Sequence, residues 1–198
     1  MFKLSTLFSR ALLALALACG AGAALAGPTY QVTVNTSALA GANGYLDFGF
    51  QALGSAAPAF ATLSNFTGAL GAAVIPSGDV VGTPPGMVTI GNTTGFNDLL
   101  QAVSFGGLFT FDLSFTADDG IAGSTFSVAL VNDSVTDFVG YAGNIVEIAL
   151  QPGAATTVNA VADFASVNAV PEPSDLLLMM SGLAVMGWVA RRKAGAAR

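Results

Sequence analysis

The sequence predicts an all-β protein, an antiparallel β-sandwich of jelly-roll-like type, carried between two terminal segments of a different nature. Three observations lead there. The middle of the chain alternates apolar and polar residues with a period of two, as strands with one buried face require. Clusters of Gly, Pro, Asn and Asp separate these runs, and such residues form tight turns. Finally, each end carries an apolar stretch beside basic residues, while the middle carries no basic residue.

The N-terminal segment reads as a signal peptide over residues 1–26. Lys3 and Arg10 supply its positive start, Ala11 to Ala18 its apolar centre, and Ala24-Leu25-Ala26 a small-residue site for signal peptidase before Gly27. The single cysteine, Cys19, follows Ala16-Leu17-Ala18. A lipoprotein reading is disfavoured because Ala16 stands where a large aliphatic residue is usual. Cys19 then leaves with the leader, and no disulfide holds the mature chain.

Residues 27–169 form the expected sandwich, roughly 145 residues and enough for one core. Tyr30 to Asn35 is a strand with Val32 and Val34 inward. Gly41-Ala42-Asn43-Gly44 contains an Asn-Gly pair suited to a tight hairpin, and Leu46 to Gln51 is the next alternating strand. Pro76-Ser77-Gly78-Asp79 and Gly82-Thr83-Pro84-Pro85-Gly86 are loops, with a strand at Met87 to Ile90. Phe96, Leu99, Leu100 and Val103 have helical spacing, so one short helix is expected there, entered from Thr94-Gly95. Phe109 to Thr116 gives the clearest strand, with Phe109, Phe111, Leu113 and Phe115 on one face. Beyond the loop Ala117-Asp118-Asp119-Gly120, further strands are marked by Phe126, Val128 and Leu130 and by Val146, Ile148 and Leu150. Gln151-Pro152-Gly153 is a loop, and Thr156 to Phe164 the last expected strand.

Residues 170–198 differ again. Val170-Pro171-Glu172-Pro173-Ser174 is followed by an apolar run from Leu176 to Ala190, then Arg191-Arg192-Lys193. As a transmembrane helix, segment 176–190 spans about 22 Å, short of the ~30 Å hydrocarbon thickness. Ser181, Gly182 and Gly187 weaken it further. The basic cluster would keep the C-terminus in the cytoplasm. Such a segment suits a temporary inner-membrane anchor better than a permanent one.

Charge narrows the function classes. All six basic residues lie in the terminal segments. Residues 27–173 hold eleven of the twelve acids, Asp175 being the other, so this stretch has a formal charge of −11. A nucleic-acid partner is excluded, because binding phosphates requires cations to displace counterions. With no histidine and no mature cysteine, His/Cys zinc sites are excluded too. A serine nucleophile lacks a base, and a phosphate-binding loop lacks its lysine.

Carboxylates remain. Asp47, Asp112 and Glu147 fall on outward strand positions, where a two-carboxylate glycoside hydrolase would place its acids. Outward acids also serve any solvated strand surface, and the sandwich has no tryptophan for stacking sugars, so catalysis is not expected. Asp118, Asp119, Asp133 and Asp137 offer loop oxygens of the kind calcium accepts. Their spacing misses the EF-hand pattern, and Asp and Asn build turns unaided, so no cofactor is expected. Tyr30, Tyr45 and Tyr141 are candidates for glycan contact from outward positions, although strand tyrosines are commonly plain β-formers.

The C-terminal pattern resembles the PEP-CTERM sorting signal of Gram-negative bacteria. The resemblance rests on Val170-Pro171-Glu172-Pro173-Ser174, the Leu/Met/Gly-rich apolar run and Arg191-Arg192-Lys193. It implies that Pro171, Glu172 and Pro173 are recognised by an exosortase, a membrane cysteine transpeptidase acting in trans. Asp175 departs from the uncharged residue usual after the serine. Gly44-Tyr45-Leu46-Asp47-Phe48 and Phe96-Asn97-Asp98 resemble one subgroup of these proteins, to which no biochemical activity is assigned. The wider family implies exopolysaccharide and biofilm matrix as surroundings. The expectation is thus an exported protein, held transiently in the inner membrane and then placed at the cell surface or outside. Its expected role is structural or adhesive, with a glycan-binding module or a carboxylate hydrolase as alternatives.

Overall fold

A computed structural model of the chain describes residues 28–170, apart from 53, 55, 118–122 and 152, together with 180 and 182. The expected signal peptide, Asp118 and Asp119, the Pro171-Glu172-Pro173 motif and nearly all of segment 176–190 lie outside the described residues. Among the described residues, no helix is long and apolar enough to cross a membrane.

Among the described residues, twelve strands make two six-stranded antiparallel sheets. They are β1 (Thr29–Asn35), β2 (Asn43–Ala52), β3 (Ala59–Thr67), β4 (Leu70–Ser77), β5 (Val80–Gly82) and β6 (Val88–Gly91). Then follow β7 (Asp98–Ser104), β8 (Leu108–Ala117), β9 (Ser124–Asn132), β10 (Asn144–Leu150), β11 (Thr157–Ala160) and β12 (Ala165–Val170). The first sheet has the order β12-β1-β8-β3-β6-β5 and the second β11-β10-β9-β2-β7-β4. The pairings β1 with β8, β2 with β7 and β3 with β6 are nested, so the chain runs out and returns along itself while alternating between sheets.

The alternation seen in the sequence builds the core. In β8 the side chains of Phe109, Phe111, Leu113 and Phe115 are buried and face the second sheet. Phe111 meets Phe48 of β2 edge-on, with ring centroids 5.2 Å apart. Phe115 meets Phe126 of β9 at 6.1 Å. Such pairs add about 0.5–1.5 kcal/mol each beyond the area they bury. Cross-sheet rings therefore set the spacing of the two layers.

Several expectations change; Pro76 and Ser77, expected in a loop, end β4, and Gly82 ends β5. The helix at Phe96 to Val103 is instead strand β7, preceded by the exposed Phe96. Leu99, Leu100, Gln101 and Val103 are all buried, so residues on both faces of β7 are out of water, with the polar Gln101 on the inward side and the apolar Leu100 on the outward side. A strand buried on both faces loses its alternation, and a short apolar run then mimics helical spacing. The Asn43-Gly44 hairpin turn is also displaced. Both residues already belong to β2, paired with Ser104 and Val103, and the positive φ of 87° falls on Gly41. Gly44 is required for another reason, since a Cβ there would collide with the Val131 carbonyl and the Phe105 ring. Finally, the strand expected over Thr156 to Phe164 stops at Ala160, and a turn leads into β12.

Candidate functional site

The outward face of the second sheet gathers the polar residues of interest. Along β2 the alternation that buries Leu46, Phe48 and Phe50 turns Tyr45, Asp47, Gly49 and Gln51 the other way. Asp47 is paired with Leu100 on one side and Ala129 on the other, both buried. Gly49 is paired with Asp98, which brings that carboxylate diagonally beside Asp47. The two stretches that carry the subgroup resemblance are thus neighbours in the sheet.

Asn97 fixes this juxtaposition. It is fully buried and its Nδ2 donates to the carbonyls of Phe50, at 3.2 Å, and Thr94, at 3.0 Å. Its Oδ1 accepts the Asp79 amide at 2.9 Å. Its own carbonyl accepts from the Phe50 amide at 2.9 Å and from Gln51 Nε2 at 3.1 Å. A buried asparagine so fully satisfied is a structural clamp.

The carboxylate pair is electrostatically uncomfortable. Burial pushes the Asp47 carboxyl up to about 6, with the charge of Asp98 adding to the effect. Burial also raises Asp98, partly offset by a hydrogen bond from Ser77, its cross-strand partner on β4. One Oδ1 on each aspartate is buried without a hydrogen-bond partner. The nearby charge of Asp98 adds to burial in favouring the protonated form of Asp47. Sequence reasoning found Asp47 but missed Asp98, because the helical reading of Phe96 to Val103 hid the strand that carries it.

The three acids considered for hydrolysis do not converge. Asp112 lies on β8 in the other sheet, where it accepts a hydrogen bond from Asn65 Nδ2 at 2.7 Å. The outward faces of a sandwich point in opposite directions, so Asp112 and Asp47 are on opposite surfaces. Glu147 shares the face of Asp47 but sits in the row of Ser127 and Gly49, two strands from β2. That places it roughly 10 Å across the sheet and further along it. It accepts instead from Asn144 Nδ2 at 2.8 Å.

Of the calcium candidates, Asp133 and Asp137 are exposed and turn-bound. Asp137 accepts from Thr136 Oγ1 at 2.9 Å, and Asp133 from Ser134 Oγ at 3.3 Å. Among the described residues, no group of three or more His, Cys, Asp or Glu is placed to hold a metal.

The tyrosines separate. Tyr30 is buried and packs edge-on against Phe115, which corrects its outward placement. It follows Val32 and Val34 inward on the same face of β1. Tyr45 lines a shallow depression of about 210 Å³ with Asn43, Gly71, Ser104 and Asp133. Tyr141 is exposed, leans on the Phe164 ring, and lines a second depression of about 200 Å³ with Asn144, Glu147 and Asn159. Both are smaller than the roughly 300–1,000 Å³ of ordinary ligand pockets.

Among the described residues the fold is all-β, and the chain's most specific feature lies at the C-terminal end. Residues 169–193 match the family model of the PEP-CTERM protein-sorting motif. The chain carries this motif, which marks a substrate of exosortase, a membrane protein, and directs export to the cell envelope or surface. No curated protein and no solved structure matches the chain.

Proposed function

We propose that the protein is exported through the leader at residues 1–26, held briefly in the inner membrane by segment 176–190, and processed by an exosortase that reads Pro171, Glu172 and Pro173. The sandwich, whose nested pairing we read as jelly-roll-like, then remains at the cell surface or in the extracellular matrix. Its role is structural or adhesive among exopolysaccharides and is not catalytic. The sorting-motif match at residues 169–193 carries this reading. The surface supports it, since Asp112 lies on the sheet opposite to Asp47 and Glu147, and Glu147 stands two strands from Asp47. Glu172→Ala is expected to leave protein of unprocessed mass in the inner-membrane fraction of its own host. Wild-type mass and location for this variant would refute the sorting role.

A glycan-binding module is the second reading, favoured by the exposed Tyr141 beside Asn144, Glu147 and Asn159. An aromatic face with amide and carboxylate partners is a common way to hold a sugar ring. Retention of the processed protein on the producer's purified polysaccharide is the expected result, with a loss of about tenfold or more in Tyr141→Ala, as for losing a contact worth ~1.4 kcal/mol. Tyr45→Ala tests the other depression. Equal retention of both variants and the parent would remove these faces from consideration.

A further inference from the structure

The two ends of the sandwich that lead into the terminal segments are hydrogen-bonded neighbours. β1 and β12 pair antiparallel from Thr29 opposite Val170 to Val34 opposite Ala165. Thr29 stands two residues after the expected leader cleavage site, and Val170 immediately precedes Pro171. Both terminal segments therefore leave the first sheet at the same corner. The sorting-motif match begins at Ala169, inside β12. No spacer separates the folded sheet from the residues to be recognised.

This creates a geometric conflict. An enzyme that cleaves a chain needs several extended residues free of other partners on either side of its target. Cleavage of folded substrates proceeds through locally opened states. Here the residues preceding the motif are committed to a ladder with β1 and backed by the whole sandwich.

β12 is suited to resolve the conflict. It is the edge strand of its sheet, paired on one side only among the described residues. Of its six residues only Ala165 is buried and Val167 half-buried, while Ser166, Asn168, Ala169 and Val170 are exposed. β1, by contrast, is also paired along its length with β8 and buries Tyr30, Val32 and Val34. Opening from Val170 back to Ser166 lifts one core-packed side chain, Val167, and uncovers the edge of β1 beside Tyr30 and Val32. It releases five residues, a tether of roughly 17 Å.

We propose that β12 is a detachable strand that must peel from β1 to deliver the sorting motif to its processing enzyme. The proposal rests on the exosortase reading above. The folded sandwich then holds the motif back, and processing follows the opening of one edge strand.

A cross-link tests this. Gln31 and Asn168 are exposed and directly opposite, and both Cα spacings of an antiparallel ladder fall within the range a disulfide spans. In the full chain in its own host, Gln31→Cys with Asn168→Cys is expected to slow conversion to processed mass about tenfold or more, as a ~1.4 kcal/mol or larger rise in the opening free energy would. Treating the cells with reductant should restore conversion, and each single variant should process normally. A Gly-Ser-Gly-Ser-Gly spacer between Val170 and Pro171 should make processing indifferent to the cross-link. Normal conversion of the oxidised double variant, with Glu172→Ala still blocked, would overturn the detachable strand alone. Failure of the spacer to rescue would overturn it equally. Normal conversion of Glu172→Ala would instead remove the sorting reading beneath it.

Discussion

Asp47 lies on the outward side of β2, where alternation normally leaves a carboxylate in water, but Leu100 and Ala129 flank it and Asp98 approaches diagonally. Its carboxyl is raised to about 6, by burial first and by Asp98 second. The sign of the consequence is fixed. Between the ordinary value of 3.8 and about 6 the folded state binds more protons than the unfolded state, so stability falls as pH rises through this window. The favourable contribution is complete below the lower value and lost above the upper one. Asp47→Asn keeps the shape of the protonated acid and cannot ionise. It is expected to stabilise the protein at pH 8 by on the order of 2 kcal/mol. That is less than the ~3 kcal/mol of the full displacement, because the side chain still reaches solvent. The gain should vanish near pH 4. Thermal melts of parent and variant across this range provide the check, and a difference that does not depend on pH would rule out the carboxylate as its source.

At the scale of the element, legibility in the sequence followed burial. β1, β2, β8, β9 and β10 each bury one face, and their large apolar residues announce it at every second position. β3 inverts the signal, because the small Ala59 and Ala61 point inward while Phe60 is partly exposed. β4 is mostly exposed along its length, so its Gly and Ala residues carry no alternation to read. β7 fails in the opposite sense, with buried residues on both faces. These cases explain why Asp47 could be placed and Asp98 could not. The clamp at Asn97 was equally hidden, since its partners Phe50, Asp79 and Thr94 are brought to it by folding. Tyr30 was within reach of the sequence, because the alternation that turns Val32 and Val34 inward also includes it. β12 was missed for a different reason. Its residues are small and mostly exposed, and its strand state comes from the ladder with β1 rather than from its own pattern. The same weakness of local pattern makes it the natural strand to open.

For the molecule as a whole, the distribution of charge dominates. Residues 27–173 contain no lysine, arginine or histidine and carry a formal charge of −11, so no side-chain ion pair can form within that stretch. Its acids interact only by repulsion, through solvent, over distances set by the ionic atmosphere. At about 0.01 M salt the screening length is ~30 Å, comparable to the width of a small domain, and at about 0.1 M it shrinks to ~10 Å. Self-repulsion of this kind works against the compact state. A protein stabilised by surface ion pairs would lose stability or stay unchanged as salt is added, whereas this one should gain. The processed protein is expected to melt roughly 2–5 °C higher at about 0.1 M than at about 0.01 M sodium chloride, corresponding to on the order of 1 kcal/mol. The gain should level off at higher salt, once the screening length is shorter than the spacing between carboxylates. Asp47→Asn should show a smaller gain, since it removes a carboxylate that is repelled by Asp98. A melting temperature that falls with salt would mean that the unneutralised acids are not a net burden on the fold.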